Sequence, residues 1–196
     1  MFWLILAITL WGIFHSLLAS PGIKDVFRRA FGNGFIKFYR LFYNLYAVLS
    51  IIPVLYLMVT LPDKSLYEAS APYDYMMRVG QGLSIFFLLV AVVQTDILSF
   101  AGLRQITEGE TPGKLVTSGL YGYVRHPLYT FSLAILWFSP TVSVNSFVLY
   151  LALTIYVLIG IIFEERKLLR EFGQEYADYR AITPMLIPGL NVAWNK

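Results

Sequence analysis

The 196-residue chain has no cysteine, which excludes disulfides, thiolate metal ligands, a thiol nucleophile and palmitoylation while leaving the redox compartment open. Histidine is almost as scarce, with only His15 and His126, so a metal or haem would have few nitrogen ligands to draw on. Charge is low too, at 14% of residues against about 25% in a soluble domain. Too few polar side chains are left to coat a water-facing surface, so lipid has to solvate much of the exterior. Nor is there an internal repeat, a low-complexity tract or a linker long enough to separate domains. Residues 1–196 are therefore expected to form one integral membrane domain.

What the chain has in abundance is apolar length: 58% of its residues are hydrophobic and its mean hydropathy is +0.64. A membrane helix needs roughly 20 mainly apolar residues, because the hydrocarbon core is about 30 Å thick and a helix rises about 1.5 Å per residue. Five segments qualify, Phe2 to Ala19, Phe38 to Leu61, Val79 to Leu103, Pro127 to Ser139 and Ser146 to Phe163. The fourth is short, and Pro140 and Asn145 bracket its end, which predicts a tight hairpin between the last two. The fold class expected is all-α, a polytopic bundle of about five transmembrane helices. The first segment lacks both a basic n-region and a small-residue cleavage site, and reads as a retained span, not a signal peptide.

The net charge of +3 and pI near 9.0 matter less than where the basic residues fall. Lys24, Arg28, Arg29, Lys37 and Arg40 lie in or beside the first loop, Arg104, Lys114 and Arg125 in the third, and Arg166, Lys167, Arg170, Arg180 and Lys196 in the tail. Only Lys64 and Arg78 fall on the other side, beside Asp63, Glu68 and Asp74. Because Lys and Arg accumulate in cytoplasmic loops, the N-terminus is expected outside and the C-terminus in the cytoplasm.

Polar residues suited to chemistry cluster on that cytoplasmic side. Glycines 113, 119 and 122 permit tight turns, and Pro127 suits the first turn of the fourth span, where its missing N–H costs nothing. Arg125 and His126 thus precede a helix start, where a cation, an imidazole and free amides can hold a carboxylate or phosphate. Alternatively Arg125 snorkels to headgroups and His126 caps the helix. Glu164 and Glu165 follow directly on an apolar run, where ionised carboxylates are costly unless paired, solvated or used; the alternative is that they open a surface helix. Beyond them Leu168, Leu169, Phe172, Tyr176 and Tyr179 recur at helical spacing, an amphipathic helix lying on the membrane or covering a pocket. Gly173 inside it costs about 1 kcal/mol relative to alanine, so a close contact is expected there.

His15, towards the cytoplasmic end of the first span, is either functional or hydrogen-bonded within the bundle. Gln94, Thr95 and Asp96 put polar groups into the third span, and Asp96 is expected to face the bundle. The aromatics, 17% of residues, fit interfacial belts and packing, and no nucleic-acid partner is expected. The glycine pairs at 32/34 and 80/82 lack the preceding strand and full fingerprint of a nucleotide-binding fold.

Taken together, the run LVTSGLYGYVRHPLY at 115–129, the glutamates 164 and 165 with Leu168, and Phe172, Gly173, Glu175, Tyr176 and Tyr179 resemble the isoprenylcysteine carboxyl methyltransferase and phospholipid methyltransferase group. The resemblance covers roughly the last half of the chain. The runs HSLLAS at 15–20, YRLFYN at 39–44 and GLRQ at 102–105 are closer to the bacterial branch that includes methanethiol S-methyltransferase, and are also similar to proteins near zeta-carotene isomerase. This resemblance implies an S-adenosylmethionine-dependent membrane methyltransferase whose cofactor is held by segments 104–129 and 164–190. Its contacts would be Gln105, Gly113, Lys114, Leu115, Val116, Tyr121, His126, Pro127, Leu128, Tyr129 and Glu164. Arg125 and Glu165 would be catalytic, Arg125 by lowering the pKa of a thiol, and no metal is implied.

In the prenylcysteine enzymes an arginine stands one helical turn before the glutamate, and here that position is Gly160. A small or lipophilic thiol entering through membrane lipid is therefore preferred to a prenylcysteine carboxylate or a phospholipid amine. Two readings of another class compete: a haem-dependent isomerase or redox protein using His15 and His126, and a non-enzymatic scaffold.

Overall fold

The computed structural model describes residues 1–108 and 113–190, without the side chains of Ser99 and Phe100. Residues 109–112 of the expected cofactor segment, and Lys196 of the basic tail, lie outside the described residues.

Helix α1 (Phe2–Ala19) stops where Ser20 turns extended and Pro21 opens α2 (Pro21–Ser50). The Ser20 hydroxyl accepts from the Ile23 amide at 3.3 Å, and proline in the first turn has no amide to leave unsatisfied. The basic stretch expected as a loop is thus helical, with a kink at Gly32 (φ 76°). Pro53 lies in the first turn of α3 (Ile52–Thr60). After strand β1 (Ser65–Glu68) comes α4 (Tyr73–Gln94).

The third span was expected over Val79 to Leu103, but α4 starts six residues earlier and ends nine residues sooner. At its end Thr95 turns extended, and its hydroxyl donates to the Val92 carbonyl at 2.7 Å. The apolar residues beyond form the short α5 (Ile97–Ala101), and α6 (Arg104–Glu108) follows. Asp96 is therefore outside the helix and not aimed into a bundle; it pairs with Arg104 at 2.8 Å with both side chains partly exposed.

A 3₁₀ turn (Gly119–Gly122) leads to α7 (Pro127–Trp137), strand β2 (Thr141–Ser143), α8 (Val144–Phe172) and α9 (Gln174–Ile182). At eleven residues α7 is roughly 16 Å long, about half the hydrocarbon thickness. Trp137 Nε1 donates to Thr154 Oγ1 at 3.0 Å, consistent with the expected hairpin between the last two apolar helices. β1 pairs with β2 in a two-stranded sheet, which the sequence pattern did not announce.

Glu164 and Glu165 do not open a new helix: α8 carries through them to Phe172. The expected amphipathic helix is divided at Gly173, whose φ of +56° separates α8 from α9. A Cβ at Gly173 would meet open space, so backbone conformation, not the close contact expected, is what glycine supplies here.

The chain forms two compact units. One comprises residues 1–64, 96–113 and 143–149; the other comprises 65–95, 114–142 and 150–196. In the first, α1 packs on α2 and α3, and His15 Nε2 meets the Tyr43 hydroxyl at 2.8 Å while its ring stacks on Trp11. In the second, α4 packs along α7, with Phe87 stacked on Phe131 and Gln81 donating to the Ile135 carbonyl at 2.9 Å.

Among the described residues, four helical segments, Phe2–Ala19, Pro21–Thr60, Tyr73–Gln94 and Val144–Phe172, are long and apolar enough to cross a bilayer. Along their apolar stretches large hydrophobic residues face outward, as at Val48, Val59 and Val93, each about two-thirds exposed or more. Only lipid solvates such a surface without penalty, and the protein is an integral membrane protein.

Candidate active site

The site is assembled inside the second unit on the segment that leads into α7. Gly119 starts it with φ +63°, and a Cβ there would collide with the Gln94 side-chain amide. That amide is in use, since its Oε1 accepts from the Leu120 peptide at 2.9 Å. Helix α4 thereby holds the 3₁₀ turn in place. Val124 is buried just before Arg125, and Pro127 begins α7 with His126 at the N-cap, where its side chain makes no capping bond.

Arg125 and His126 are 8% and 5% exposed, and both face Glu165 on α8. Arg125 Nε donates to Glu165 Oε1 at 2.7 Å, and its Nη2 lies 2.6 Å from the same oxygen. His126 Nε2 is 3.3 Å from that oxygen. The other Arg125 nitrogen, Nη1, donates to the carbonyls of Arg180 and Thr183. Glu164 differs from its neighbour. Its side chain is 40% exposed, against 13% for Glu165, and it accepts from the Tyr129 hydroxyl at 2.9 Å. His126 Nδ1 is 3.9 Å away. One carboxylate is thus spent inside the protein and the other is open to a ligand.

Helix α9 closes one side with Tyr176 and Tyr179, both buried and in edge contact. Tyr179 donates to the Tyr121 carbonyl. Burial raises the pKa of Tyr179 to about 12, with Arg125 opposing and Glu165 reinforcing the rise. Burial, then Glu164 and Tyr179, raise Tyr121 to about 12 as well. Tyr176 is pushed up by burial and by the neighbouring Glu165 carboxylate. These phenols stay protonated at any physiological pH.

The chain matches the NnrU protein family over residues 3–193. It belongs to that family. It is 30% identical over 196 residues to methanethiol S-methyltransferase of Pseudomonas deceptionensis, covering 95% of this chain and 72% of that one. Against methanethiol S-methyltransferase 2 of Bradyrhizobium diazoefficiens the identity is 29%, with the same two coverages. Against the Crocosphaera subtropica methanethiol S-methyltransferase it is 37% over 128 residues, 59% of this chain and half of that one. These relatives place it in the methanethiol S-methyltransferase branch. No solved structure matches it.

In this NnrU-family chain the residues expected at the site divide into three groups. Arg125, His126, Tyr129, Glu164 and Glu165 come together as described, with Tyr121 joined through Tyr179. Pro127 is buried under the start of α7 and Leu128 is half-buried on its first turn. Lys114, Leu115 and Val116 run in without regular structure, Lys114 exposed and the other two half-buried. Gln105, half-buried on α6, and Gly113 belong to the first unit.

His15 and His126, the pair behind the haem reading, fall in different units, and each offers its Nε2 to a partner of its own. Sequence reasoning missed Gln94 as the anchor of the turn, and Thr130, Arg180 and Thr183 as partners of the cluster. Gln94 carried a signal, an amide at the end of an apolar run, but Thr183 in TPMLIP carried none.

Proposed function

We propose that this chain is an S-adenosylmethionine-dependent membrane methyltransferase acting on a small thiol, with methanethiol the first candidate. The observation that carries the reading is the half-exposed Glu164 carboxylate, fixed by Tyr129 beside the first turn of α7, in a chain whose relatives bear that enzyme's name.

The residues present fit the cofactor. Glu164 can accept from an ammonium group or a ribose hydroxyl. The N-terminus of α7, entered through Pro127 with no side-chain cap, suits a carboxylate, because the positive end of a helix favours an anion. Segments 104–129 and 164–190, with the contacts named from the resemblance, are assigned to this role. The bound cofactor supplies an electrophilic methyl group on a sulfonium.

The protein's task is alignment and exclusion of water. The thiol sulfur gains a carbon bond as the sulfonium loses one, and the thiol proton passes to solvent. A free thiol with pKa near about 8.5 is already partly ionised at neutral pH. The distribution of basic residues supports a cytoplasmic site with the N-terminus outside.

The test is turnover by detergent-purified protein given S-adenosylmethionine and methanethiol, followed as S-adenosylhomocysteine release and dimethyl sulfide in the headspace. Both products are expected, and Glu164→Ala should abolish cofactor binding measured by calorimetry. Absence of S-adenosylhomocysteine binding by the wild-type protein would refute the reading.

A further inference from the structure

Arg125 looks from sequence like a cation free to act on a reactant, yet its surroundings are those of a fastener. Nε and both Nη nitrogens are engaged inside the protein. Two of the groups they reach are main-chain carbonyls, at Arg180 near the end of α9 and Thr183 just past it. The same stretch of chain makes further bonds to the start of α7. The Arg125 amide donates to the Pro184 carbonyl at 2.8 Å and the His126 amide to the Met185 carbonyl at 3.2 Å. Thr130 Oγ1 donates to the Leu186 carbonyl at 2.9 Å. Residues 183–186 therefore lie as a strap along residues 125–130.

Glu165 ties this strap to α8. Its Oε1 takes the Arg125 guanidinium and faces His126 Nε2, and its Oε2 lies 3.9 Å from Arg180 Nη1. A carboxylate shared in this way orients the imidazole and neutralises the guanidinium that grips the strap.

We infer that Arg125 and Glu165 are positioning residues, an ion pair that clasps the strap 183–186 to the start of α7 and so holds His126 and Tyr129 in place, and that neither touches the reactants. The inference rests on the proposed function for what the site binds, but the clasp itself is testable without ligand.

The experiment is hydrogen exchange by mass spectrometry on the full-length, ligand-free protein, comparing wild type with Arg125→Lys, Glu165→Gln and Thr130→Val. The amides of residues 125 and 126 should exchange about ten-fold faster in Glu165→Gln and Arg125→Lys, and a few-fold faster in Thr130→Val. Peptides from α4 should not change. In turnover assays, KM for S-adenosylmethionine should rise about ten-fold in Arg125→Lys with kcat and the pH–rate profile nearly unchanged. An arginine that acts on the thiol gives the opposite pattern, with unaltered exchange, a fall in kcat and a displaced pH profile, and this overturns the clasp. Should Arg125→Lys not fold, wild-type exchange at residues 125 and 126 in both Glu165→Gln and Thr130→Val overturns it equally. A wild-type protein that binds no S-adenosylhomocysteine defeats the proposed function and leaves the exchange result to decide the clasp.

Discussion

At the scale of single residues, three glycines of the second unit separate causes that composition lumps together. Gly119 combines φ +63° with a neighbour, the Gln94 amide, that leaves no room for a Cβ. Gly173 has φ +56° and open space. Gly160 lies inside α8 with neither constraint. Alanine at 119 must pay the left-handed penalty and also displace the bond from Leu120, for a loss of about 2–3 kcal/mol; at 173 only the former applies, about 1 kcal/mol. At 160 alanine should be neutral or stabilise by up to about 1 kcal/mol, because helical backbone favours it over glycine. Thermal unfolding of the three variants in one detergent checks the order 119, 173, 160. Equal losses at 119 and 173 would mean that the Gln94 anchor contributes nothing.

At the scale of elements, the link into α8 turns on Asp63 and Asn145. Asn145 is fully buried, donates its side-chain amide to the Met58 and Leu61 carbonyls at 3.3 Å, and gives its own peptide N–H to Asp63 Oδ1 at 3.0 Å. Burial alone would raise the Asp63 pKa, but hydrogen bonds from the Ser143 side chain and the amides of Asn145, Lys64 and Val144 outweigh it and hold the carboxyl below its usual value of 3.8. Since the folded pKa is the lower one, the contribution is complete above pH about 5 and is lost as pH falls through the folded value. The melting temperature of Asp63→Asn should therefore fall less than that of wild type between pH 5 and 3, and parallel acid profiles would refute the assignment. The elements themselves were legible where hydropathy runs unbroken. α1 has the expected bounds because Ser20 and Pro21 state the stop and the restart in the sequence. The end of α4 was not legible, because residues 97–101 are as apolar as the helix before them and only the turn at Thr95 distinguishes them. The β1–β2 pairing was invisible as well, its exposed strand showing no alternation of burial.

At the scale of the whole molecule, much of the site could be read from local sequence, because Arg125, His126, Tyr129, Glu164 and Glu165 stand in two short motifs. What could not be read was the division of labour, Glu164 outward and Glu165 inward, since adjacent residues on a helix differ only by a turn of about 100°. Which side of the membrane this cluster faces is a separate question, on which the charge distribution bears. Thirteen of the fifteen basic residues fall on α2, between residues 104 and 125, or from residue 166 onward, whereas Lys64 and Arg78 accompany Asp63, Glu68 and Asp74. The bias acts on basic residues near the ends of spans. α7 bears on the argument because it covers only about half the bilayer. If α7 and α8 cross together as a hairpin, the cluster at the start of α7 and the carboxylates near the end of α8 share one face, which their direct bonds require. The chain has no native cysteine, so single cysteines report without background. In right-side-out cells, a cysteine replacing Lys64 should react with a membrane-impermeant maleimide, and one replacing Lys114 should react only after permeabilisation. Labelling of both in intact cells would break the five-crossing topology, and labelling of Lys114→Cys alone would invert it and move the site to the opposite side of the membrane.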